Sequence, residues 1–116
     1  MGWFLYVNQI GVFMKKKRSK LRKLEKERYS VFYEDLSTCM FCGKVWQMTK
    51  HEIFEGRNRQ NSMKYGFVLP LCVNCHRKLQ EDLEFDNKWK IKAQTYFEEN
   101  IGSREDFIKI FRRNYK

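Results

Sequence analysis

The stretch that decides the fold opens with Cys39-Met40-Phe41-Cys42-Gly43 and closes with Leu71-Cys72-Val73-Asn74-Cys75-His76. Two C-x2-C pairs stand 29 residues apart and use all four cysteines of the chain. A C-x2-C turn aims two thiolates at one ion, and two such turns supply the four tetrahedral ligands that zinc takes. The spacing predicts a structural zinc held by Cys39, Cys42, Cys72 and Cys75. Four thiolates close the shell, so this zinc has no open position for substrate. Gly43 supplies backbone freedom just after the second thiolate. Disulfides or free thiols are the competing reading, and the close pairing of the cysteines argues for metal instead.

Outward from this centre, the segments read as follows. Val45 to Phe54 contains alternating stretches that suit a strand. Gly56 to Gly66 is polar and rich in Arg and Asn, which predicts a loop. Phe67 to Leu71 is a short apolar run that suits a second strand, with Pro70 at an edge or at its end. His76 then opens a helical stretch. Further on, Trp89, Ala93, Tyr96 and Phe97 share one helix face. Gly102 can end that helix, and Ser103 with Asp106 can cap the next one, on which Phe107, Ile110 and Phe111 repeat the apolar spacing. These aromatics read as core, not as platforms for nucleotides.

The chain has 116 residues, which fits one domain with a modest core that gains from a metal staple. Its 16% aromatic content speaks for a packed core and against disorder. The net charge is +10, and Lys15 to Arg28 holds nine Lys and Arg against two Glu, a net of +7. The basicity therefore belongs to an arm over 15–30, with Leu21 and Leu24 as a thin apolar stripe. Such an arm meets a polyanion, nucleic acid or an anionic membrane surface, unless it is only a solvated helix. The domain proper runs over 31–116. Residues 1–14 form an apolar extension. Either they are native, or Met14 is the natural start and the rest is upstream sequence. The apolar stretch precedes the charges, the reverse of a secretory signal, and is too short to span a bilayer. The reading is a cytoplasmic protein with no membrane partner and an open oligomeric state.

The two histidines are His51, between the cysteine pairs, and His76, directly after the last cysteine. If the pairs close on one zinc, the strands between them fold back, and the two histidines can face each other across a groove. His76 and oxygen ligands would hold a hard cation there, opposite a base that activates water against a phosphodiester. His76 as a plain helix-start residue, or as a donor to a zinc thiolate, is the structural alternative.

This pattern, CxxCG, a His-acid pair before Ile53, a polar loop, and LCxxCH opening a helix, resembles the HNH endonucleases of the ββα-metal, or His-Me finger, group. Over about residues 20–116 the chain is similar to small HNH-like proteins of phages and prophages. The resemblance implies an α+β fold: a zinc-pinned ββα-metal finger flanked by N- and C-terminal helices. It also implies a catalytic Mg2+ or Mn2+ beside the structural Zn2+. His76 matches the helix histidine and would bind that cation. His51-Glu52 falls on the strand motif in two registers. In one, His51 would be a cation ligand and Glu52 would hold the base position; in the other, His51 is the base and Glu52 a neighbouring ligand. His51 is favoured, because imidazole titrates near neutral pH. The family's middle Asn falls at Phe67, with Asn58 and Asn61 as nearby substitutes and Asn61 as a candidate cation ligand. A further family histidine falls at Gln80. Lys15, Lys16, Lys17 and Arg18 of the arm, with Arg57, Arg59 and Lys64 of the loop, are the candidate phosphate contacts. The expected function is metal-dependent hydrolysis of DNA in a phage or mobile-element context. The alternatives are a non-catalytic, zinc-stabilised nucleic-acid-binding module and a protein-interaction adaptor using the C-terminal helices.

Overall fold

Strand β1 (Met48–Glu52) pairs antiparallel with β2 (Val68–Cys72). The register sets Met48 opposite Cys72, Lys50 opposite Pro70 and His51 opposite Leu69. In a two-stranded sheet every strand is an edge, so Pro70 costs no ladder bond it could not spare. Its carbonyl accepts the N–H of Met40, which ties the first cysteine turn to β2. This computed structural model describes residues 20–116. The 1–14 extension and Lys15, Lys16, Lys17 and Arg18 lie outside the described residues.

The chain between the strands is not a loop. Gly56–Asn58 forms a 3-10 turn, and α1 (Arg59–Tyr65) follows it. The strands are thus joined by a helical crossing rather than a tight hairpin. Composition misleads here because the helix buries only Ser62 and Met63. Ser62 is polar, yet its hydroxyl accepts the Phe54 N–H at 2.9 Å and donates to the Phe54 carbonyl at 2.8 Å. Gly66 ends α1 in the left-handed region, at φ 74°. A Cβ there would stand 2.5 Å from the Tyr29 ring, so glycine is required twice over.

After β2 come α2 (Val73–Leu79), α3 (Leu83–Asn100) and α4 (Arg104–Phe111). Asp82 caps α3 by accepting the Phe85 N–H, and the expected capping box of Ser103 and Asp106 starts α4. The main core joins Ile53, Phe54, Phe67 and Leu69 from the sheet region to Trp89, Ala93 and Phe97 of α3 and Phe107 and Phe111 of α4. The rings contact mostly edge to face or tilted, as aromatic quadrupoles prefer. The aromatic periodicity of the last third is therefore a packing signal. A second cluster gathers Leu71 with Cys39, Cys72 and Cys75. Among the described residues this is an α+β arrangement, a small antiparallel sheet with helices around it. No helix among them is long and apolar enough to cross a membrane.

Candidate metal centre and histidine pair

The Sγ atoms of Cys39, Cys42, Cys72 and Cys75 all lie within 4.8 Å of one another. Cys42 and Cys72 are 3.7 Å apart, sulfur to sulfur. A tetrahedron with metal–sulfur bonds of ~2.3 Å has edges of about 3.8 Å, so this set fits a metal ion such as zinc. Each pair is shaped by its turn. Lys44 and Cys39 close the first through Cys39 N–H to Lys44 O at 2.8 Å, with Gly43 at φ 79° and its N–H on Cys39 O. The second is the start of α2, where Cys72 is the N-cap and its sulfur accepts the Cys75 N–H at 3.4 Å. All four cysteines are free thiols, not disulfides.

The electrostatics of the set call for a cation. Burial works against the Cys39 thiolate, yet N–H groups of the two turns outweigh it and bring the thiol down to about 6. Burial and the neighbouring sulfurs push Cys75 the other way, up to about 12. Four sulfurs this close ionise together only around a positive ion.

His51 and His76 come together next to this centre. Their ring centroids are 5.1 Å apart and their planes meet at 63°. β1 carries one and α2 the other; Cys75 directly precedes His76, and Cys72 pairs with Met48, three residues before His51. His51 is buried, and its Nδ1 has no hydrogen-bond partner. The Oε1 of Glu55, on the exposed side, is the nearest acid at 3.7 Å. Burial, then the proximity of His76, lowers the His51 pKa to about 4; Glu52 and Asp86 pull it up, and Lys90 adds to the fall. The imidazole is therefore neutral near pH 7 and keeps a lone pair. His51 Nδ1 thus stands buried and unpaired beside the His76 ring, with the Glu55 carboxylate 3.7 Å away.

Glu52 is placed elsewhere. Successive strand residues face opposite sides, so Glu52 leaves the histidine side of β1. Its Oε1 accepts from Arg28 at 2.7 Å and lies 3.3 Å from Arg59 Nε, and Arg59 also reaches Glu25 at 3.1 Å. These pairs fasten the end of the basic arm to β1 and α1, helped by Tyr29 donating to Lys64 O and Val31 N–H to Gly66 O. Arg59 is thus committed to carboxylates, whereas Arg57 and Lys64 are exposed.

The two asparagines face the end of α4. Asn58 Nδ2 donates to Phe111 O at 2.9 Å, and Asn61 Nδ2 donates to Ile110 O at 3.2 Å. They satisfy carbonyls that a helix end leaves without partners. Phe67 is fully buried core, and Gln80 is the exposed C-cap of α2. Sequence reasoning did not single out Glu55, Asp86, Lys90 or the Arg28–Glu52 pair. Of these, only Glu55, four residues after His51, had a spacing signal. No protein-family model, curated protein or solved structure matches the chain.

Proposed function

We propose that the chain is a metal-dependent endonuclease of the HNH type, acting on DNA phosphodiesters in a phage or mobile-element context. The observation that carries this reading is the edge-to-face meeting of His51 and His76, 5.1 Å apart, beside the four-cysteine centre. In this reading Cys39, Cys42, Cys72 and Cys75 would hold Zn2+, which would tie the turn before β1 to the end of β2 and the start of α2. His76 would hold Mg2+ or Mn2+, and that cation would supply positive charge to the scissile phosphate. His51 takes the proton of the attacking water. The new P–O bond forms as the bond to the leaving sugar oxygen breaks, and that oxygen takes a proton from solvent. Burial keeps His51 unprotonated at neutral pH, and at about 4 its pKa lies below the near-neutral value for which the sequence favoured it, which makes it a weaker base. Glu52, held by two arginines, is a docking residue rather than the base. The test is nicking of supercoiled plasmid by zinc-loaded protein, with Mg2+ or Mn2+ added or omitted.

A second reading is a zinc-stabilised DNA-binding module without hydrolysis. Phe67 at the position of the family's middle Asn, and the engagement of Asn58 and Asn61 with α4, favour it. The same plasmid assay separates the two, since the module binds DNA and leaves it intact.

A further inference from the structure

We propose that the tip of the first cysteine turn, Phe41 and Trp46 with Lys44 between them, stacks on unpaired nucleobases, so that DNA containing single-stranded segments is the preferred partner. This rests on the nucleic-acid part of the reading above and not on cleavage.

Phe41 is 62% exposed and Trp46 61% exposed, with Val45 at 61% and Val73 at 37% beside them in the chain or across the turn. None of the four belongs to either core cluster. The only other largely exposed aromatic among the described residues is Tyr29, and its hydroxyl and ring are spent on Lys64 and Gly66. Isolated exposed apolar residues need no account, but a group of them on one rigid tip does.

The tip is built before any partner arrives. Cys39 N–H to Lys44 O and Gly43 N–H to Cys39 O close the turn. Gln47 then takes a left-handed φ of 53°, unusual for a side-chain-bearing residue, and its carbonyl accepts the Val73 N–H at 2.8 Å. Backbone strain of this kind persists where surrounding contacts hold it. A backbone held in this way needs little ordering on binding, and it leaves the Phe41 and Trp46 rings exposed.

Charge selects the partner. No Asp or Glu occurs in 36–51 or in 66–80, the two segments that build this lobe. They carry Lys44, Lys50, Arg77 and Lys78 instead, which outweigh the net −2 of zinc with four thiolates. The Lys44 ammonium lies 5.2 Å from the Trp46 ring centroid. A ring for a base with a cation for its phosphate is the unit that single-strand binders repeat. Bases within an intact duplex are already stacked and offer no face to Phe41 or Trp46.

The experiment measures anisotropy of two fluorescein-labelled probes, an oligo-dT of roughly 20 nucleotides, enough for one site, and a mixed-sequence duplex of equal length. Zinc-loaded full-length protein is used without added Mg2+ or Mn2+. The proposal expects tighter binding of oligo-dT and quenching of tryptophan emission. Phe41→Ala/Trp46→Ala should weaken oligo-dT binding by roughly 10- to 100-fold, with duplex binding changed less than about threefold. Trp46→Phe should keep most of the affinity, and zinc content should stay the same in all variants. Unchanged oligo-dT affinity in the double variant overturns the proposal, and so does an equal loss on both probes. A dimer-to-monomer shift on sedimentation, with DNA binding intact, would assign the tip to self-association instead. Absence of plasmid nicking leaves this binding result standing, so the two readings fail separately.

Discussion

The His51 and His76 rings meet edge to face at 5.1 Å, although one sits on a strand and the other on a helix. Two local constraints bring them together. The register of β1 on β2 sets His51 opposite Leu69, three residues before the N-cap Cys72. That cap starts α2, and its first turns carry Cys75 and then His76. A metal at the cysteines would fix the same junction from the other side.

The cysteine set should therefore carry one zinc per chain, and folding should depend on it. Metal analysis of purified protein is expected to give one zinc equivalent. Cys72→Ser removes a metal ligand and leaves a hydroxyl that can still cap α2, so it should abolish the cooperative thermal transition through loss of metal alone, because zinc-binding free energy in such sites is largely folding free energy. A folded, zinc-free protein would contradict this.

Glu52 should matter to stability and little to cleavage. Its carboxylate is only 14% exposed and faces Arg28 and Arg59. Glu52→Gln keeps the shape and weakens both charge-assisted contacts, with an expected loss of about 1–3 kcal/mol by urea denaturation. Nicking activity below the melting temperature should stay within a few-fold of wild type. A collapse of activity with unchanged stability would return Glu52 to the base position.

The buried His51 should make the protein lose stability in mild acid. Its folded pKa of about 4 lies below the ordinary 6.5. Between these values the unfolded chain binds a proton that the folded chain refuses. The stability is thus full above about pH 6.5 and falls as the pH drops toward 4. From about pH 7 to 5.5 the loss from this group is about 1 kcal/mol. Urea midpoints of wild type and His51→Gln at the two pH values should differ by that increment; parallel behaviour would contradict it.

How much of this was legible in the sequence follows from range. The cysteine centre was, because each C-x2-C turn is local and four thiolates at that spacing have few other uses. The second strand was displaced by one residue, Val68–Cys72 in place of Phe67–Leu71, and the aromatic face of α3 and the Ser103 cap were read correctly. Helix α1 was not legible, because its buried side hangs on Met63 and on a serine whose hydroxyl is satisfied by Phe54. Nor was the Arg28–Glu52–Arg59 cluster, since Arg28 meets Glu52 from 24 residues away and Arg59 reaches it from α1, which the sequence did not reveal. The alternation of β1 sends His51 and Glu52 to different sides, a distinction that a motif match could not make.

We propose that His51 and His76 form a cation-dependent phosphodiester site apart from the cysteine centre. The most direct measurement is the rate of supercoiled plasmid nicking by zinc-loaded wild type, His51→Ala and His76→Ala, across a titration of Mg2+ and Mn2+. Nicking is expected only with added cation. A loss of about 100-fold or more is expected in His51→Ala at every cation concentration. The defect of His76→Ala should be partly recovered at high Mn2+, with one zinc retained in both variants. Wild-type nicking that both variants share, or zinc loss in either variant, would contradict it.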